Sequence, residues 1–129
     1  MTTELTVLAL AGLLQVAQFS LYSALSIRQV GPKKAAGPRD VAHVLTGTAG
    51  RAQRAMNNHF EGLILFTLAV VVVTLGEAAS SFTAACAWVY LIARIAYWPA
   101  YLLGLAPWRS LIWFIGLLAS TFMILAALF

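Results

Sequence analysis

From Leu5 to Ile27 the chain runs without a charged side chain. A helix of about 20 apolar residues is enough to cross the hydrocarbon layer of a membrane. In lipid no water satisfies backbone N–H and C=O groups, so such a run must bond within itself and is expected to be helical. Three more runs follow: from Arg51 through Val70-Val71-Val72-Val73 to about Leu75, from about Phe82 to Leu103, and from about Trp108 to Phe129. Between them lie breakers: Arg28 to Asp40 with Gly31, Pro32, Gly37 and Pro38; Gly76-Glu77 with Ser80-Ser81; and Gly104 to Pro107. Val41 to Gly50 is mildly apolar and reads as an approach segment that becomes helix before Arg51. The expectation is all-α: one domain over residues 1–129, an integral membrane four-helix bundle with spans of about 5–27, 51–75, 82–103 and 108–129.

Composition agrees. The chain is 62% hydrophobic and 9% charged, whereas a soluble domain carries about a quarter charged residues. Met1-Thr2-Thr3-Glu4 lacks the basic start of a cleaved signal peptide, so the first run is expected to stay as a span. Cys86 is the single cysteine. It lies in an apolar run and reads as a small buried core residue.

Charge sets an expected topology. Arg28, Lys33, Lys34, Arg39, Arg51, Arg54, Arg94 and Arg109 all fall on or toward one side of a four-span arrangement, with Glu4 and Glu77 opposite. The excess of Lys and Arg on cytoplasmic sides then puts both termini of this multi-pass protein outside the cytoplasm. The net charge of +4 needs no nucleic acid; a basic rim suits anionic lipid headgroups.

Charged residues inside apolar runs stand out. Arg51, Arg54, Asn58 and Glu61 recur at helical spacing and share one face of the second span; Tyr90, Arg94, Tyr97 and Tyr101 do so in the third. Glu61 lies about 15 Å along the axis from Arg51, and Arg94 reaches a comparable depth from its own end. A charge at mid-bilayer costs about 2.5–3.5 kcal/mol even on the lenient scale, so it is expected to be paired or to line a wet cavity. The plain reading is a Glu61–Arg94 ion pair that fixes packing. It leaves Arg51, Arg54, Asn58, Tyr97, Tyr101 and Arg109 unexplained, and several unbalanced cations with amide and phenol donors suit a small anionic ligand. Ser110 can cap the fourth span or help hold an anion at its N-terminus. Arg28 reads as a rim cation. His59 points away from the stripe toward a neighbouring element, while Gln15, Gln18 and Tyr22 read as polar glue between helices. His43 has no evident partner, and no metal site is expected.

The run Arg51-Ala52-Gln53-Arg54-Ala55-Met56-Asn57-Asn58-His59-Phe60-Glu61 resembles the Arg-Ala-x-x-Asn-x-x-Glu signature of the MAPEG family, the membrane-associated proteins in eicosanoid and glutathione metabolism. Ala93-Arg94-Ile95-Ala96-Tyr97, followed by Tyr101 and Arg109-Ser110, resembles the second signature. The resemblance implies a homotrimer of four-helix bundles, with glutathione as co-substrate between subunits near the cytoplasmic face. It implies that Arg54, Asn58 and Glu61 contact the tripeptide from one subunit and Tyr97 and Tyr101 from its neighbour. Arg94 and Ser110 fall within the same motifs, Arg28 and Arg51 would hold carboxylates more loosely, and Arg109 would face the thiol as the catalytic residue. Leu65 stands where many members have a proline, and Asn57 and His59 replace an Arg and an Asp of some prostaglandin-forming members. Similarity to bacterial members implies an inner-membrane location and does not extend to eicosanoid substrates.

The expected function is a glutathione-dependent membrane transferase or peroxidase acting on lipophilic electrophiles, with lipid as surroundings. The alternative is a non-catalytic lipid- or ligand-binding protein on the same scaffold. A small multidrug exporter fits poorly, because the first span lacks an acidic residue and clustered arginines repel cationic drugs.

Overall fold

The computed structural model describes residues 1–38 and 44–129, so the readings of Arg39, Asp40 and His43 fall outside the described residues. Among the described residues five helices follow one another: α1 (Thr3–Val30), α2 (Pro32–Ala36), α3 (Gly47–Leu75), α4 (Ser81–Leu102) and α5 (Trp108–Leu128). Two boundaries differ from expectation. Arg28 lies on the last turn of α1 rather than in a loop, and the stretch after it contains the short α2, started by Pro32 at its first position.

Local chemistry explains the ends. Thr2 caps α1 by accepting from the Leu5 N–H. Ser80 and Thr83 form a reciprocal capping box at the start of α4. After α4 the chain turns at Gly104, whose φ of 68° is costly for any residue with a Cβ. Pro107, not Ser110, occupies the N-cap of α5, and the helix has no side-chain cap. The capping role read for Ser110 is therefore wrong: the helix starts at Trp108, which leaves Ser110 inside the first turn.

Four long helices form a ring. α1 packs on α3, α3 on α5, α5 on α4 and α4 on α1, with α3 and α4 also meeting across the centre. Val7, Phe66, Val70, Val73, Tyr90, Leu91 and Met123 fill the middle. Outer faces are apolar as well: Leu13, Val16, Ile64, Leu68, Ile92, Leu111 and Phe122 are all exposed. An apolar exterior over most of the surface is what lipid, not water, tolerates.

α1, α3 and α5 are each long and apolar enough to cross a membrane. α4 is as long as α5 but is not among those three, because Tyr90, Arg94, Tyr97 and Tyr101 dilute it. The polar stripe that makes α4 interesting is also what lowers its hydropathy.

Two polar clasps fix the ends of the ring. The Gln29 carboxamide donates to the Thr46 carbonyl (3.1 Å) and accepts from the Thr46 N–H (3.0 Å), joining the end of α1 to the start of α3. At the opposite end the buried Glu4 carboxylate accepts from the Thr83 hydroxyl, joining the start of α1 to α4. In the middle of α1, Gln15 Oε1 meets His59 Nδ1 of α3 at 2.6 Å. The reading of His59 and Gln15 as interhelical polar contacts holds, and Cys86 is buried and unpaired as a core residue.

Candidate functional site

The two stripes do face each other, and Arg94 is the centre of their contact. Only 2% of its surface is exposed. Its Nη1 donates to Asn58 Oδ1 (3.2 Å), while Nη2 donates to Asn58 Oδ1 (3.1 Å) and to the Asn58 carbonyl oxygen (2.7 Å). The expected Glu61–Arg94 ion pair is therefore replaced by an Asn58 clamp. Glu61 is solvent- or lipid-exposed; its helical register brings it to the right depth, but its rotation leaves Asn58 facing α4.

A glycine makes this approach possible. A Cβ on Gly62 would stand 2.9 Å from Arg94 Nη2 and 3.2 Å from its Cζ. Gly62 thus leaves room for a guanidinium to lie against the backbone of α3. Around the other sides of Arg94 are ring faces, Tyr97 at 5.0 Å and Tyr90 at 6.0 Å from the guanidinium carbon. Tyr90 in turn stacks on Phe66, with centroids 4.0 Å apart and planes within 7°.

Arg51, Arg54 and Arg109 gather at the end of the bundle where α4 finishes and α3 and α5 begin. Arg54 Nε donates to the Tyr101 hydroxyl at 3.2 Å. Arg51 Nη1 donates to the Leu102 carbonyl at 3.3 Å, satisfying an acceptor that the end of a helix leaves open. Arg109 lies over the Tyr101 ring at 4.9 Å, and the Tyr97 and Tyr101 centroids are 5.6 Å apart. Arg54, Asn58, Arg94, Tyr97, Tyr101 and Arg109 therefore form one connected cluster, with Arg51 beside it on the Leu102 carbonyl. Arg28, exposed on the last turn of α1, is not joined to that cluster by any hydrogen bond or ring contact among the described residues.

An open pocket of about 370 Å³ is bounded by Asn58, Tyr97, Arg109, Ser110, Trp113 and Phe114. That is within the roughly 300–1,000 Å³ of small-molecule sites. It presents amide, hydroxyl, phenol and guanidinium groups together, a donor-rich set suited to carboxylates and thiolates. Among the described residues no three His, Cys, Asp or Glu side chains gather to hold a metal. Trp113 lines this pocket although its motif position drew no attention, since one tryptophan in an aromatic-rich span reads like any other.

A family model, the MAPEG family, matches residues 4–129. The chain belongs to the MAPEG family. No curated protein matches it. As a MAPEG protein it is an integral membrane protein of the group associated with glutathione and eicosanoid metabolism. Both signature runs lie where the cluster forms: the first on the opening turns of α3, the second on the closing turns of α4 and the start of α5. α3 continues through Leu65 as one helix, in keeping with a side chain there that retains its backbone N–H.

Proposed function

We propose that this MAPEG protein is a glutathione-dependent membrane transferase or peroxidase that acts on lipophilic electrophiles. The observation that carries the reading is the surplus of cation: Arg51, Arg54, Arg94 and Arg109 share a site region with one carboxylate, Glu61. Glutathione offers two carboxylates, an ammonium and a thiol, and arginine forks suit the carboxylates. Glu61 is the acceptor for the ammonium. Arg51 and Arg54, exposed at the basic end, and Arg28 on the neighbouring rim hold the outer carboxylate.

Arg109 and Ser110 face the open pocket and have the chemical role. A free thiol with pKa about 8.5 is mostly protonated at neutral pH. Lowering it to about 6.5 takes roughly 2.7 kcal/mol of preference for the anion. A guanidinium in a pocket walled by Trp113 and Phe114 supplies a preference of that order. The thiolate then attacks the electrophilic carbon of a lipid-soluble substrate, the S–C bond forms, and the leaving group departs with the electron pair. We place both termini outside the cytoplasm of a bacterial inner membrane, four helices across it, and three copies together as a homotrimer.

Titrating glutathione into purified protein is expected to raise an ultraviolet thiolate absorbance. Arg109→Ala removes the absorbance while leaving binding, and Arg54→Ala weakens binding. Absence of glutathione binding at millimolar concentration overturns the reading. A second reading, binding without turnover, draws on the ring stack that already engages Arg109 with Tyr101. Retained binding with no conversion across a panel of electrophiles favours it.

A further inference from the structure

Tyr101, at the end of α4, engages two arginines of the basic end with different parts of its side chain. Its hydroxyl accepts from Arg54 Nε at 3.2 Å. Its ring lies under the Arg109 guanidinium, 4.9 Å from carbon to centroid. One turn earlier on the same helix Tyr97 braces that ring, with centroids 5.6 Å apart. Tyr101 itself is not one of the residues bounding the open pocket, whereas Tyr97 and Arg109 are. It therefore meets a ligand of that pocket through Arg109.

How each guanidinium is held decides what it can still offer. An arginine has five N–H donors. Arg94 spends donors on Asn58, and Arg51 spends one on the Leu102 carbonyl. Arg109 is held through its charge instead: among the described residues its guanidinium makes no hydrogen bond, so the whole fork stays free for an anion. Arg54 is held only by its inner Nε, which leaves both terminal nitrogens for a carboxylate.

We propose that Tyr101 is a positioning residue with two separable functions: its hydroxyl sets Arg54 toward a carboxylate, and its ring sets Arg109 toward the thiolate. The inference rests on the glutathione reading above. It changes the role that the family signature implies for Tyr101, from touching the tripeptide to supporting two side chains that do.

The test has one arm without glutathione and one with it, both on the full-length protein in detergent. Modification by phenylglyoxal, followed for each arginine by peptide mass spectrometry, reports how each guanidinium is held. Glutathione affinity, and thiolate absorbance against pH, report what the holding does. Tyr101→Phe keeps the ring and removes the hydroxyl. It is expected to speed modification of Arg54 and weaken glutathione binding, each by about two- to fivefold, with the Arg109 rate and the pH midpoint of thiolate formation unchanged. Tyr101→Leu removes both parts. It is expected in addition to speed modification of Arg109 by about two- to fivefold. The midpoint then rises by about one pH unit, about tenfold less thiolate at a given pH below it. Arg51, held on the Leu102 carbonyl, keeps its rate in both variants. Phe and Leu variants that agree in Arg109 rate or in midpoint overturn the proposal, as does a rise at Arg51 together with the other two, which marks a general loosening of the turn. A wild type that binds no glutathione while the modification pattern holds overturns the glutathione reading and leaves the positioning of the two arginines in place.

Discussion

Arg94 holds its place through one asparagine and one missing methyl. If Asn58 is what makes the buried charge tolerable, Asn58→Leu should lower stability by about 2–3 kcal/mol, the loss of charged hydrogen bonds in a buried setting. Replacing the charge itself has the opposite character. Arg94→Met fills similar volume without a charge, and buried ions replaced by apolar groups are often neutral or stabilising. Thermal unfolding in detergent should therefore rank Arg94→Met at or above the wild type and Asn58→Leu below it; the reverse order would show the guanidinium to be a structural pillar. Gly62→Ala belongs to the same test, because its Cβ would stand 2.9 Å from Arg94 Nη2 and cost about 1–3 kcal/mol in overpacking. At this scale the sequence was readable by contrast. A charge or a carboxamide in an apolar run is conspicuous, so Arg94, Glu61 and Asn58 stand out. Gly62 was missed because a small residue among apolar ones has no contrast; its meaning comes from the side chain opposite. The Glu61–Arg94 pairing failed for a related reason, since helical period gives depth along the axis more reliably than rotation toward a partner.

α1, α3 and α4 are tied to one another by polar groups near their ends. Thr83 both closes the cap of α4 and donates to Glu4 of α1. Thr83→Val keeps the shape, removes both, and leaves a buried carboxylate without its donor. A loss of about 1–3 kcal/mol is expected, measurable by denaturation, with Ser81→Ala as an inert comparison. Arg51 does the corresponding work at the other end of α4 through the Leu102 carbonyl. Arg51→Ala should speed amide exchange at Leu103 and Gly104 while leaving α1 unchanged. The helices themselves were legible from the apolar runs and their Gly and Pro punctuation, within a few residues. The start of α5 was misjudged at Ser110, because a serine after an arginine resembles a cap, whereas the turn made by Gly104 and Pro107 had already started the helix. α2 was read as loop because five residues carry too little periodicity to be seen.

Among the described residues, the charges at the two ends of the bundle are segregated. Arg28, Lys33 and Lys34 share one end with Arg51, Arg54 and Arg109, while Glu4 and Glu77 mark the other. With Cys86→Ser as background, a cysteine placed at Thr2 or Glu77 should react with a membrane-impermeant maleimide in intact cells, and one at Lys33 only after lysis. Labelling in the opposite sense would invert the topology and put the open pocket on the outer side. The two-handed hydrogen bonding of Gln29 to Thr46 has a different consequence. Because the side chain grips both the N–H and the C=O of one residue, Thr46, the end of α1 is held to α3 independently of the chain that runs between them. Membrane helices are stable alone and associate by packing afterwards. Cleavage after Gly37 should therefore leave two polypeptides that purify together, and the halves, produced separately, should find each other in the bilayer.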